Sequence, residues 1–164
     1  MTEPRVYTWL VPGRLAVAER PGGGGRSHRI ARREAELAWW AAQGVTTIVS
    51  GMRTRHGLLE AALGGFRVRW HPLIEPDQAA REAPALVDRA LAEMQRDEGG
   101  VLVRVDRPGE WLAGVDAALR LALGLAHTRG DALAQAAGDG FPVGEVSRAL
   151  VGERPTRRAT ARAA

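Results

Sequence analysis

Between Val101 and Gly114 the chain reads VLVRVDRPGEWLAG. This is a β-branched strand run, a tight turn over Asp106–Gly109, and the start of an apolar helix reaching to about Ala126. A strand entering a glycine-containing turn and then a helix N-terminus is an arrangement from which anion sites are built. Free N–H groups converge there, and the helix dipole adds about half a positive charge. The side chains on this turn do not supply the remaining chemistry. It has no thiol, hydroxyl or ammonium group and instead carries Asp106 and Glu110, whose charge opposes a phosphate. One reading makes the segment a helix start and nothing more: Asp106 or Arg107 caps it, Pro108 takes the first position and Glu110 answers the dipole. The other makes it a repurposed pocket that holds an anion through Arg107 and the loop bearing Arg53 and Arg55.

Other chemistries leave few traces. Cysteine is absent, which removes disulfides, thiolate metal sites and cysteine nucleophiles together. The four histidines, His28, His56, His71 and His127, share no HxH or HxxxH spacing, so no metal and no cofactor is expected. His56 and His71 read as surface or packing residues rather than acid–base groups. The run Gly22–Gly25 lacks the preceding strand and the Gly-Lys-Ser/Thr ending of a phosphate loop, so it reads as a linker.

A chain of 164 residues, 45% hydrophobic and 26% charged, suits one well-buried core. No apolar run approaches the ~18–20 residues that cross a membrane. The opening MTEPRVYTWLVPG lacks a charged-then-apolar layout, so cytoplasmic residence is the expectation. All 23 basic residues are arginine, and the formal charge is +4. Arg154, Arg157, Arg158 and Arg162 account for that whole excess, because the other arginines balance the 19 acidic residues. The basic character therefore belongs to a tail, 153–164, expected to be disordered. Without interleaved aromatics it is a poor nucleic-acid tether.

Hydrophobic periodicity and turn residues lay out the elements that must position these groups. Tyr7–Leu10 and Arg14–Ala18 form a hairpin across Pro12-Gly13. A helix over about 29–43 is capped by Ser27 and closed by Gly44, and of the adjacent Trp39 and Trp40 one must sit at the core's edge. Val45–Val49 is a buried strand, Leu58–Leu63 a short helix, and Phe66–Leu73 another strand. The prolines bracket a loop over Ile74–Glu82, and a helix follows from about Pro84 to Asp97. Helices over about 129–138 and 143–151 complete the chain. This alternation predicts a single α/β domain, residues 1–152, whose central, mostly parallel sheet is flanked by helices. Ligands of such sheets collect at the carboxyl ends of the strands. Three loops meet there, Ser50–Gly57, Ile74–Glu82 and Asp106–Gly109, offering Arg53, Arg55, His56, Glu75, Asp77, Asp106 and Arg107.

The order WLVPGRLA, QGVTTIVSGMRTR, RWHPLIEPD, GGVLVRVDRPGEWLAGVDAALRLALG resembles the cysteine-dependent tyrosine and dual-specificity phosphatases. The likeness is to the small atypical dual-specificity members and covers roughly residues 6–152. Trp9, Pro12, Gly13, Leu15 and Ala16 match their opening Trp-x-x-Pro-Gly-x-Leu-Ala segment, and Gly44–Val49 matches their Gly-Val strand. The resemblance implies a dual-specificity-phosphatase-like fold and places Glu75, with Asp77 two residues on, in the former general-acid loop. It also places Arg104 at the histidine and Val105 at the cysteine of the His-Cys-(five residues)-Arg signature. Asp106, Arg107, Pro108, Gly109 and Glu110 then form the rest of the former catalytic loop. Its glycine, Gly109, comes one residue late, and Trp111 or Leu112 stands where the family's arginine should be.

In that family the thiolate attacks phosphorus while the arginine grips two phosphate oxygens. Valine can do neither. The resemblance therefore implies a catalytically inactive pseudophosphatase that serves as a binding or regulatory module for an unidentified protein or anionic ligand. Arg53, Arg55 and Arg107 are the candidate contacts. The alternative is an enzyme of another chemistry, with Asp106, Asp77 and Glu75 as acid–base or nucleophilic carboxylates in the former cleft. The sequence does not set the oligomeric state.

Overall fold

The computed structural model describes residues 1–22, 30–55, 57–105 and 109–152. Its elements run β1 (Tyr7–Val11), β2 (Leu15–Glu19), α1 (Ile30–Ala42), β3 (Val45–Ser50), α2 (Leu58–Leu63) and β4 (Arg67–Trp70). They continue with α3 (Pro76–Arg96), β5 (Gly100–Val105), α4 (Glu110–Ala122), α5 (Arg129–Gly138) and α6 (Glu145–Leu150). The strands form one sheet in the order β1-β2-β5-β3-β4. Only the β1–β2 hairpin is antiparallel; β2–β5, β5–β3 and β3–β4 are parallel. The predicted single α/β domain with a mostly parallel sheet is what forms.

Both faces of the sheet are covered, and the twofold alternation of strand side chains sorts them. From β5, Val101, Val103 and Val105 join the larger core, where α3 to α6 contribute Leu86, Leu112, Leu119, Leu133 and Leu150. Leu102 faces the smaller core with Ile48, Leu37 and Trp40. Trp40 is buried there while Trp39 lies at the margin, so the pair divides as adjacent helical positions must. Tyr7 and Trp9 pack edge-on against Trp40, with ring centroids 5.4 and 5.8 Å away, fixing the hairpin to α1.

Several boundaries differ from the sequence reading, among them the end of α4, which stops at Ala122 rather than near Ala126. The segment read as a loop over Ile74–Glu82 is the first part of α3, a helix of 21 residues that passes through Pro84. Glu75 takes extended dihedrals at the cap position, Pro76 occupies the first turn and Asp77 faces the dipole, which together make a sound helix start. Pro84 deletes one internal hydrogen bond, but it is exposed, so water can serve the freed carbonyl on that side. The buried stripe Ala79, Ala83, Leu86, Val87 and Ala90 holds the helix together across it. Strand β4 stops at Trp70 rather than reaching Leu73. The N-cap assigned to Ser27, the linker beyond Gly22 and the tail 153–164 lie outside the described residues.

Candidate functional site

The carboxyl end of β5 lies between β2 and β3, the place where an open parallel sheet gathers ligands. Val105 is its last residue, 2% exposed, with its side chain in the larger core. The last two carbonyls of the strand are taken by neighbours: Gly51 N–H donates to Arg104 O at 2.9 Å and Arg20 N–H to Val105 O at 3.0 Å.

Arg104 points to the opposite face from Val105. It is buried, and its Nε donates to Ser50 Oγ at 3.3 Å. A β-carbon built on Gly57 would lie 4.0 Å from its Nη1 and 3.8 Å from Cδ of Arg33. Arg33 is buried as well and pairs with Glu60 at 2.9 Å. Two guanidinium side chains thus lie beneath the β3–α2 loop from the α1 side. Beside them on α1, the buried Glu36 accepts from Gly22 N–H at 2.6 Å and from Arg32 Nε at 2.8 Å. Burial pushes the Glu19 carboxyl up, and the charge of Glu36 adds to the shift.

Arg33 and Glu36 are charged groups that the sequence reading passed over. Their trace was available: positions 33 and 36 share the helical face of Leu37 and Trp40, where a charge needs a buried partner, whereas Ile30, expected on that face, is exposed.

Helix α4 starts later than the sequence reading places it. It begins at Glu110 with Gly109 as its cap residue, rather than at the earlier first position and with the Asp106 or Arg107 cap expected from the sequence. Gly109 adopts φ 88° and ψ −130°, a conformation open to glycine alone. Asp106, Arg107 and Pro108 themselves lie outside the described residues, as does His56.

Glu110, read as a carboxylate opposing an anion in the loop, is engaged elsewhere. Its Oε2 accepts from Val146 N–H at 2.9 Å, at the start of α6. Helix α6 is capped by Gly144, which has no side chain to accept from the first turn, while Ser147 Oγ accepts from Gly144 N–H at 2.8 Å. Glu110 supplies the missing half of that cap from another helix. A β-carbon on Gly144 would fall 2.0 Å from Glu110 Oε1, so the glycine makes room for the carboxylate. Trp111 and Leu112, at or near the position expected for an arginine, are core residues at 7% and 0% exposure.

Of the remaining predicted groups, Arg53 and Glu75 meet, while Asp77 and Arg55 stand apart from them. Glu75 and Asp77 are exposed at the start of α3. Arg53 lies 3.6 Å from Glu75 in a half-exposed ion pair. Arg55, two residues on, stacks over Trp70 instead, 4.7 Å from the ring centre, and Trp70 Nε1 holds the loop by donating to Met52 O at 2.9 Å. Among the described residues no group of three or more His, Cys, Asp or Glu is placed to hold a metal ion. Within them no helix is long and apolar enough to cross a membrane.

Neither a protein-family model nor a curated protein matches the chain. Solved structures do. Human DUSP28 superposes with a TM-score of 0.65 at 15% identity, covering 92% of this chain and 94% of that one. The chain has the fold of the dual-specificity and tyrosine phosphatases. TpbA of P. aeruginosa, in complex with pTyr, gives 0.62 at 15% identity over 93% and 98% of the two chains. Kinase associated phosphatase, with its catalytic-site cysteine substituted by serine, gives 0.60 at 14% identity over 82% and 81%.

Proposed function

We propose that this chain is a phosphatase-fold protein that does not hydrolyse phosphoesters and acts as a binding or regulatory module. One observation carries the reading: Val105, the position that the resemblance gives to the nucleophile, is a core side chain at the end of β5, in a chain without a single cysteine. An isopropyl group cannot form a phosphoenzyme, and Arg104 directs its guanidinium to the other face of the sheet. The former acid Glu75 is exposed and paired with Arg53, with no nucleophile for it to serve.

Purified protein incubated with p-nitrophenyl phosphate tests this directly. Turnover should equal that of buffer, and neither vanadate nor a thiol alkylator should change it. Vanadate-sensitive hydrolysis that co-purifies with the protein refutes the proposal.

A further inference from the structure

Strand β4 is one of the two edge strands of the sheet and pairs, among the described residues, with β3 alone. His71 N–H donates inward to Ser50 O at 2.8 Å, so by alternation the N–H and C=O groups of Val68 and Trp70 face the open side. Among the described residues the Val68 carbonyl takes a long 3.4 Å contact from Arg69 Nη1, which an incoming N–H would replace. An edge of this kind is a template for another strand.

The side chains of the same two residues form the floor of a groove. Val68 and Trp70, with Leu58, Leu59 and Ala62 of α2 and with Arg55, enclose an open volume of about 450 Å³. Leu59 and Leu63 on α2 are 68% and 79% exposed, uncommonly so for leucine. Arg67 and Arg69, which would otherwise discourage edge pairing, are turned to the other face and neutralised by Glu93 and Asp97 of α3. Arg55 has no carboxylate within ion-pair distance among the described residues; its contact there is the face of Trp70.

Charge selects the occupant. The chain's own tail brings four arginines and one acid, Glu153, to a groove that already presents a cation. A second copy pairing through β4 would present the same cation, Arg55, and its groove lining holds no carboxylate to answer this one. An acidic segment answers Arg55, and alternating apolar residues reach the groove floor. We propose that the β4 edge and the α2 groove bind an extended acidic–apolar peptide segment of another protein, added to the sheet as a further strand. This surface deepens the binding-module reading but does not depend on the loop after β5, so the phosphatase assay and the binding assay fail separately.

The test is a titration of the ¹⁵N-labelled full chain with capped peptides in which Glu alternates with Val, Leu or Phe. Saturable shifts should appear in the amides of β4 and α2. Replacing Glu by Lys in the peptide should weaken binding by about tenfold, and Arg55→Glu should do the same to the acidic peptide while restoring the lysine one. Leu59→Asp should weaken both. N-methylation of the peptide amides that face β4 should abolish binding, which distinguishes strand addition from simple occupation of the groove. The proposal is overturned by absence of binding at millimolar peptide, by shifts located elsewhere, by indifference to N-methylation or to the Arg55 charge swap, or by concentration-dependent self-association through β4.

Discussion

Asp116 offers a test of the packing between α4 and α5 that does not involve function. Its side chain is wholly buried in α4, and its Oδ1 accepts from Arg120 Nε at 2.6 Å. Arg120 also donates to Gln135 Oε1 at 2.9 Å and pairs with Asp139 at the end of α5. Asp116 Oδ2 has no hydrogen-bond partner among the described residues. Burial pushes the carboxyl up from its ordinary 3.8 to about 6, against the pull of Arg120, and the nearby charge of Asp139 adds to the rise. The arginine's own pKa also rises, even against burial, because two carboxylates share that one guanidinium, so it gains more from them than it returns to either.

Between those two pH values the folded state binds more protons at this site than the unfolded chain. The site therefore stabilises the fold most below pH 4, and that contribution is lost as pH climbs toward about 6, with no further change above. Two units correspond to about 3 kcal/mol. Asp116→Asn keeps the shape and the acceptor for Arg120 while removing the titration. Urea melts of both proteins at several values from pH 4 to pH 7 isolate the site: the stability of the variant relative to the parent should rise by about 2.4 kcal/mol across that range, the remainder of the change lying below pH 4. A constant difference would mean that Asp116 does not titrate there. A difference of opposite sign would mean that the Arg120 ion pair outweighs burial and holds the carboxyl ionised.

Other residues give independent checks. A β-carbon on Gly114 would lie 2.5 Å from Leu150 Cδ1 and 3.0 Å from Ser147 Cα, so α6 rests on the glycine itself. Alanine gains about 1 kcal/mol of helix propensity but incurs about 1–3 kcal/mol of overpacking, and Gly114→Ala should lower the thermal midpoint by a few degrees; an unchanged midpoint would show that α6 yields freely. Glu110→Ala removes the acceptor for Val146 N–H and should cost about 0.5–2 kcal/mol, with faster hydrogen exchange in α6, whereas Glu110→Gln should retain most of both. Val105→Cys should fold almost unchanged, since the volume is nearly conserved, and remain inactive toward p-nitrophenyl phosphate because a thiol returns without an arginine. Activity in that single variant would overturn the alignment of the loop as well as the mechanism.

Local signals alone located most of the elements. The helix over 129–138 forms at the residues read from the sequence, and Thr128 caps it by accepting from Asp131 N–H at 3.1 Å. Gly64-Gly65 and the Leu58–Leu63 run delimit α2 in the same direct way. These outcomes follow from side chains and backbone only a few residues apart, which is the range over which a sequence pattern carries structural information. Helix α3 escaped that reading because Pro84 reads locally as a break, and only the core beneath Ala79 and Ala83 decides that the helix continues. Gly109 as the cap, Glu110 as the acceptor for a helix 36 residues away and the burial of Arg33 and Glu36 are likewise properties of packing. The absence of cysteine could be read from composition, and the alternation of β5 set Arg104 and Val105 on opposite faces. Which helices cover those faces, and that β4 is left at an open edge beside an apolar groove, was decided only by the order in which distant strands pair, because that order is set by long-range contacts that no local pattern encodes.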